Sequence, residues 1–248
     1  MNSIAQIHLI SVEGGLKDNA IANKSVASLV IADFDKIEAS LTNIITDIKK
    51  EYETTDPDMN ISVVKEHTNL FQTNLNPMDA ESTNKTIFML NCLPNGIQAM
   101  SVDIEGLVQT SLNLGILKTE FDKVTASYCV RSSVKSQKEM LVERLFCIMQ
   151  QIGGSITIVG DYPGWEYNKH SALRTLMMEV FTEQYGHEPK VEAIHAGVEC
   201  GLFAGRLNGL DCVSIGPDLT EIHTYREKMS ISSVQRVWKF VLEVLKRA

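Results

Sequence analysis

The spacing of apolar residues along this chain changes several times, and each change predicts an element. Ala5 to Val12 and Ser25 to Ala32 are strand-like runs separated by Gly14, Gly15 and a polar turn around Asp18, which predicts a β-hairpin. From Phe34 to Glu51, Ile37, Leu41, Ile44, Ile45 and Ile48 recur at helical spacing, and TTDPDMN then stops the helix. A strand is expected at Ile61 to Lys65. Ser82 or Thr83 is expected to cap a helix that runs through TIFMLNCL to the break at Pro94, Asn95 and Gly96. Leu107 to Lys118 and Val124 to Ser132 read as a second strand pair joined by TEFDK. An amphipathic helix is expected from Lys138 to Gln151 through Met140, Leu141, Leu145, Ile148 and Met149.

These two rounds of strands followed by helices predict an α+β layer with helices packed on one face of a sheet. After Gly153 and Gly154 the pattern changes. SITIVG, VEAIHAG and LDCVSIG read as strands and alternate with helices over Ser171 to Tyr185 and Ser232 to Lys246, the signature of an α/β sheet with functional loops at strand ends. A domain boundary is therefore expected near residue 155, with one domain over 1–155 and the other over 156–248. No repeat of solenoid period and no low-complexity segment interrupts either part.

Composition narrows the classes. With 248 residues and 44% apolar content the chain has ample material for a packed core. The formal charge of -8, with no block of like charge, argues against a nucleic-acid partner, which needs clustered Lys and Arg to displace counterions. A small polar ligand stays open. The start MNSIAQIHLISVEGG lacks a signal-peptide pattern and no run of about 18 apolar residues occurs, so a soluble cytoplasmic protein with no membrane partner is expected. Cys92, Cys129, Cys147, Cys200 and Cys212 form no CxxC pair and are odd in number, so they read as reduced thiols serving as small core residues.

Candidate chemistry concentrates in the last third. VEAIHAGVECGLFAG reads as a strand ending at His195, a Gly-containing turn and a short helical start, which aims the N–H groups of Glu199, Cys200 and Gly201 at a cleft. Such groups hold a carboxylate or an oxyanion, but an ordinary strand-to-helix turn has the same pattern. His195 and Glu199 are four apart, a spacing that suits two metal ligands on one helix face, although Gly197 and the preceding strand argue against a continuous helix there. His223 ends a polar loop after Gly216 and Pro217, where an imidazole serves either as a zinc ligand or as a surface residue. Arg131, after the strand YCV, either clamps a carboxylate or lies at a sheet edge, and Asn19 reads by default as a turn former.

The strings LPNGIQ, VQTSLNLGIL, CVRSS, DYPGW, IHAGVECGLF and VSIGPDLTEIH, with the terminal helix, resemble the aminoacyl-histidine dipeptidases, relatives of carnosinase and carboxypeptidase G. The resemblance runs from about Gly14 to the end, apart from roughly residues 50 to 85. It implies a ferredoxin-like lid, often also a dimerisation domain, over residues up to about 155. The carboxy-terminal part of a zinc-peptidase α/β catalytic domain then follows. His223 matches the final zinc ligand of the family, Arg131 the lid arginine that receives the substrate carboxylate, Asn19 the lid asparagine of the NAIP-type turn, and Glu199 to Gly201 the pocket-lining loop. Short peptides of Xaa-His type are the implied substrates.

The resemblance also implies two zinc ions in the intact enzyme, but most of their site is not matched here. The HxD-type metal motif, the bridging Asp and the Glu-Glu pair belong to an amino-terminal segment with no counterpart in this sequence, so no catalytic residue is assigned. Ala22 replaces the proline after the NAI turn, and Thr224 and Tyr225 replace the tail of the HSP-like ligand motif. The family's lid histidine that crosses the dimer has no match. A catalytic zinc needs about three protein ligands and an open position for water. The chain alone is therefore expected to be inactive, to serve as a binding or dimerisation module, or to be one half of a two-chain enzyme, with a homodimer or the amino-terminal half as partner.

Overall fold

Strand β1 (Ile7–Gly14) turns back antiparallel as β2 (Ser25–Ile31), the hairpin expected from the first two apolar runs. The computed structural model describes residues 7–65, 76–193, 199–222 and 224–248. The β1–β2 register shifts between Leu9 and Ser11. A bulge of this kind inserts one residue into the period-2 alternation, so Leu9 and Val12, of opposite parity, are both buried.

The chain divides into two compact units. One comprises Met1–Asn95, Asn113–Cys129 and Cys147–Gly154, and the other Gly96–Leu112, Val130–Phe146 and Ser155–Ala248. In the first unit, α1 (Asp35–Glu51) follows the hairpin with Ile37 buried, Asp35 and Glu38 in its first turn and Lys49 and Lys50 in its last, charges that complement the helix dipole. The next helix, α2 (Ala80–Cys92), packs on β1. Its cap is Asp79, whose carboxylate accepts the Ser82 N–H at 2.7 Å, rather than Ser82 or Thr83. Thr83 is fully buried because its hydroxyl accepts the Leu9 N–H at 3.2 Å and Met78 N–H donates to the Leu9 carbonyl at 2.7 Å. The hydrogen bonds from Ser82 hold the Asp79 carboxyl below its ordinary range.

Strands β4 (Val108–Thr119) and β5 (Val124–Ser132) pair as expected and continue through both units. In the first unit β1 meets β4 at Gly14 and Leu117, and the Thr119 hydroxyl completes that junction by accepting Val12 N–H at 2.9 Å and donating to its carbonyl at 3.0 Å. In the second, β3 (Gly96–Met100) pairs antiparallel with β4 from Gly96 opposite Leu112 to Met100 opposite Val108. The apolar pattern did not reveal β3, because five residues after a turn carry too few alternations; the neighbouring strand decides it.

The second unit continues with α3 (Lys135–Gln151), of which residues up to 146 belong to it, and α4 (Ala172–Tyr185). Ser171 caps α4 by accepting Arg174 N–H at 3.0 Å, and Gly186 ends it at φ 74°. After α5 (Glu199–Arg206), the two-residue strands β6 (Leu219–Thr220) and β7 (Lys228–Met229) pair antiparallel, and α6 (Ile231–Arg247) follows its Ser230 cap. The core of this unit lies between α4 and α6, where Met177, Val180, Phe240 and Val244 are buried and the Phe181 ring meets Phe240 edge-on at 5.9 Å.

The fold is mixed α/β, with an antiparallel sheet and covering helices. Three expected strands are not strands: 61–65, 155–160 and 210–216 carry no ladder. Of the expected strand VEAIHAG, 191–193 carry none and 194–197 lie outside the described residues. Strand-type residues favour extended backbone, but a strand exists only where a neighbour satisfies its N–H and C=O groups. No described helix is long and apolar enough to cross a membrane.

Candidate functional site

Asn19 is exposed in the loop between β1 and β2, and the loop is held from below by β4. Gly15 takes φ +73° and donates its N–H to the Lys24 carbonyl at 3.2 Å, while Ala20 N–H reaches the Lys17 carbonyl at 3.3 Å. The Asn113 side-chain amide donates to both the Asp18 carbonyl, at 3.0 Å, and the Ala20 carbonyl, at 2.8 Å. Gly115 lets the loop descend: a Cβ there would sit 2.3 Å from the Asp18 oxygen and 2.4 Å from the Asp18 Cα. The two carbonyls flanking Asn19 are thus fixed by one amide. Sequence reasoning missed Asn113 and Gly115, although a glycine inside the strand pattern SLNLGIL signals close backbone approach.

In the second unit the loop 161–165, DYPGW, is the hub. Gly164 packs on the end of β5, where a Cβ would lie 2.6 Å from the Ser133 carbonyl oxygen and 2.7 Å from that of Ser132. Gly201 and Gly205, one helical turn apart in α5, pack on Pro163; a Cβ at Gly205 would be 2.8 Å from the proline ring. The Lys138 side chain, only 15% exposed, bonds the Asp161 carboxylate at 2.7 Å and the Tyr162 carbonyl. Glu166 accepts the Lys135 N–H at 3.1 Å at the start of α3. Arg174 lies over the Tyr167 ring at 4.7 Å and donates to the Asn168 and Lys169 carbonyls. One rigid loop therefore joins the strand end that follows Arg131 to the first turn of α5.

Arg131 is half-buried on β5, next to Ser132, whose hydroxyl pairs with Thr110 at 2.9 Å. Glu199, Cys200 and Gly201 are the first three described residues of α5 (Glu199–Arg206), and residues 194–198 before them lie outside the described residues. Glu199 is exposed and Gly201 buried. Asn19 belongs to the first unit and Arg131 and α5 to the second. His195 and His223 lie outside the described residues. Thr224 donates its N–H and hydroxyl to the Glu221 carbonyl, at 3.2 and 2.7 Å, and its hydroxyl accepts Arg226 N–H at 3.1 Å. Glu221 takes φ 53°, left-handed for a side-chain-bearing residue.

Asp211 anchors the segment before β6 to α4. Its carboxylate accepts Leu173 N–H at 2.9 Å. Burial opposes its charge, but the Leu173 N–H and the polar side chains of Ser171 and Asn168, together with the Arg174 cation, hold it below the usual carboxylate range. Next to it, burial pushes the Cys212 thiol up, reinforced by Cys200 and Asp211. All five cysteines are free, and Cys147 is exposed, which corrects its reading as a core residue: it occupies a solvent-facing position of α3. Among the described residues, which leave out His195 and His223, no three His, Cys, Asp or Glu side chains cluster to hold a metal ion. The first unit also has an open cavity of about 480 Å³, bordered by Met78, Lys85, Thr86, Glu120 and Lys123, and none of the candidate residues lines it.

No protein-family model matches the chain. It is 31% identical over 242 residues to the cytosol non-specific dipeptidase of Escherichia coli, covering 97% of this chain and 49% of that protein. Its fold matches the aminoacylhistidine dipeptidase of Vibrio alginolyticus with a TM-score of 0.86 and 30% identity, over 99% of this chain and 50% of the other. An aminopeptidase PepT from Bacillus cereus aligns over 65% of this chain and 43% of its own, with a TM-score of 0.49 and 17% identity, too distant to bear on the assignment. The chain thus spans about half the length of the relatives it matches. By sequence and by fold, the chain is homologous to the carboxy-terminal half of that cytosol non-specific dipeptidase and of that aminoacylhistidine dipeptidase.

Proposed function

We propose that this chain is the lid and carboxy-terminal part of a cytoplasmic zinc dipeptidase that cleaves Xaa-His or similar short peptides, with the lid in residues up to about 155. The observation that carries the reading is the alignment along 97% of the chain at 31% identity. In this reading Arg131 receives the terminal carboxylate of the peptide. Asn19, fixed through its neighbours by Asn113, orients the substrate, and the N–H groups of Glu199, Cys200 and Gly201 at the start of α5 hold its carboxylate or oxyanion. His223 holds one metal. One imidazole does not make a catalytic zinc centre, which needs about three ligands and a water, so the chain alone does not hydrolyse peptides. Nucleic acid and membrane are not partners, in keeping with the charge of -8.

The test mixes the purified chain with Ala-His or β-Ala-His and zinc or manganese, alone and with the half of the Escherichia coli relative that it does not span. No turnover alone and turnover on mixing is the expected result. Robust turnover by the chain alone would show that its own residues complete the centre.

A second reading, a non-catalytic binding or dimerisation module, draws on α6. Besides the face packed on α4, this helix has an exposed apolar stripe of Ile231, Val234, Trp238, Leu242 and Leu245. A stable metal-free dimer by size exclusion with light scattering, and no activity on mixing, would favour the module.

A further inference from the structure

We propose that Asn208–Gly209 is a site of spontaneous deamidation, at which the folded chain converts Asn208 into aspartate and isoaspartate. The dipeptide Asn-Gly occurs twice in the sequence, at Asn95–Gly96 and at Asn208–Gly209. Glycine has no Cβ to hinder its backbone nitrogen as that nitrogen closes on the preceding side chain, so both copies are open to the reaction by sequence alone. The fold treats them differently. Asn208 and Gly209 are exposed and form the centre of a turn, closed by Leu210 N–H on the Leu207 carbonyl at 3.1 Å, that links α5 to the run 210–216. Such a turn engages the N–H of its fourth residue and not that of its third. Among the described residues neither the Asn208 side chain nor the Gly209 N–H has a hydrogen-bond partner, and a Cβ at Gly209 would meet nothing within 4 Å. Asn95 is held instead: its side-chain oxygen accepts the Leu114 N–H at 2.7 Å, and Gly96 begins β3 opposite Leu112.

The Gly209 nitrogen attacks Asn208 Cγ. A C–N bond forms, the bond from Cγ to the side-chain nitrogen breaks, and that nitrogen leaves as ammonia with the proton from Gly209. Water, the sole co-reactant, then opens the cyclic imide at either of its carbonyls. One asparagine and one water thus become one ammonia and one aspartate or isoaspartate. Both products add a negative charge, and isoaspartate also routes the backbone through Cγ, one methylene longer. The added atom falls just before Asp211, whose carboxylate ties this connection to α4 through Leu173 N–H at 2.9 Å. The reaction therefore alters the link between α5 and α4 with time, and it does not depend on the peptidase reading.

Incubation of the full chain at mildly alkaline pH, natively and in urea, followed by tryptic mapping with mass spectrometry, tests this. The peptide Leu207–Arg226 carries Asn208, and Thr86–Lys118 carries Asn95. In the native chain Leu207–Arg226 is expected to gain acid forms as two isomers, on the order of tenfold faster than Asn95 does, the factor set by the hydrogen bonds that hold Asn95. The isoaspartyl isomer should accept a methyl group from S-adenosylmethionine through an isoaspartyl methyltransferase. In urea the two sites should react at similar rates, and Asn208→Gln should abolish the change in the peptide 207–226. An Asn208 that keeps its amide in the native chain while losing it in urea, or an Asn95 that reacts as fast as Asn208 natively, would overturn the proposal.

Discussion

Replacing Asn113 tests whether one strand residue sets the shape of the Asn19 loop. Its amide donates two hydrogen bonds, to the Asp18 and Ala20 carbonyls at 3.0 and 2.8 Å, both at the surface. A typical intramolecular hydrogen bond contributes about 1 kcal/mol net, so Asn113→Ala should cost roughly 1–2 kcal/mol. At this chain length that is a fall of about 2–8 °C in Tm. Asn113→Asp separates hydrogen bonding from shape. It keeps the size, but an ionised carboxylate only accepts, and it would face two carbonyl oxygens. At pH 7 the Asp variant should therefore be less stable than the Ala variant, and it should recover as the carboxyl protonates below about pH 4. Urea denaturation at both pH values, with amide exchange of Ala20, whose N–H bonds Lys17 at 3.3 Å, reads the outcome. An Asp variant as stable as the parent at pH 7, with unchanged exchange at Ala20, would refute the claim that this amide holds the loop.

Asp211→Ala should cost about 1 kcal/mol near neutral pH, as loss of a helix-capping carboxylate does. Its folded pKa is depressed, so its stabilising share is full above the unfolded value near 4 and disappears as pH falls through the folded value. The denaturation curves of parent and variant should accordingly converge in acid, and a gap that persists there would count against the charge. Phe240→Ala should cost about 3–5 kcal/mol, because the ring is 7% exposed against Met177, Val180 and Phe181. Trp238→Ala, two residues earlier on α6 and 62% exposed, should cost under about 1 kcal/mol. Equal losses in urea melts would mean that the outer face of α6 is covered in solution.

The candidate site was legible unevenly, for physical reasons. Residues whose type implies a local job were found: Ser171 is followed by a helix, and Glu199 opens α5, because capping and turn chemistry act within a few residues. Residues that work across distance were not. Nothing near Lys138 in sequence marks it as the clamp on a loop 23 residues later. Asn113 reaches a turn 95 positions earlier, and Pro163 meets glycines in a helix that begins 36 residues downstream, a span that shows only once the chain folds.

The same division runs through the fold. Apolar spacing by itself determined the hairpin, the long helices and the β4–β5 pair, since burying an apolar stripe on a helix or strand is a local demand repeated every few residues. The resemblance carried by its motifs also determined, without coordinates, which group of proteins the chain is related to. Tertiary structure decided what depends on a neighbour. It made a strand of Gly96–Met100, which finds a ladder on β4, and left 155–160 and 210–216 without one. It moved the α2 cap to Asp79 because β1 claims Thr83. Backbone hydrogen bonds between strands join residues far apart along the chain, and no local pattern records which partner will be present.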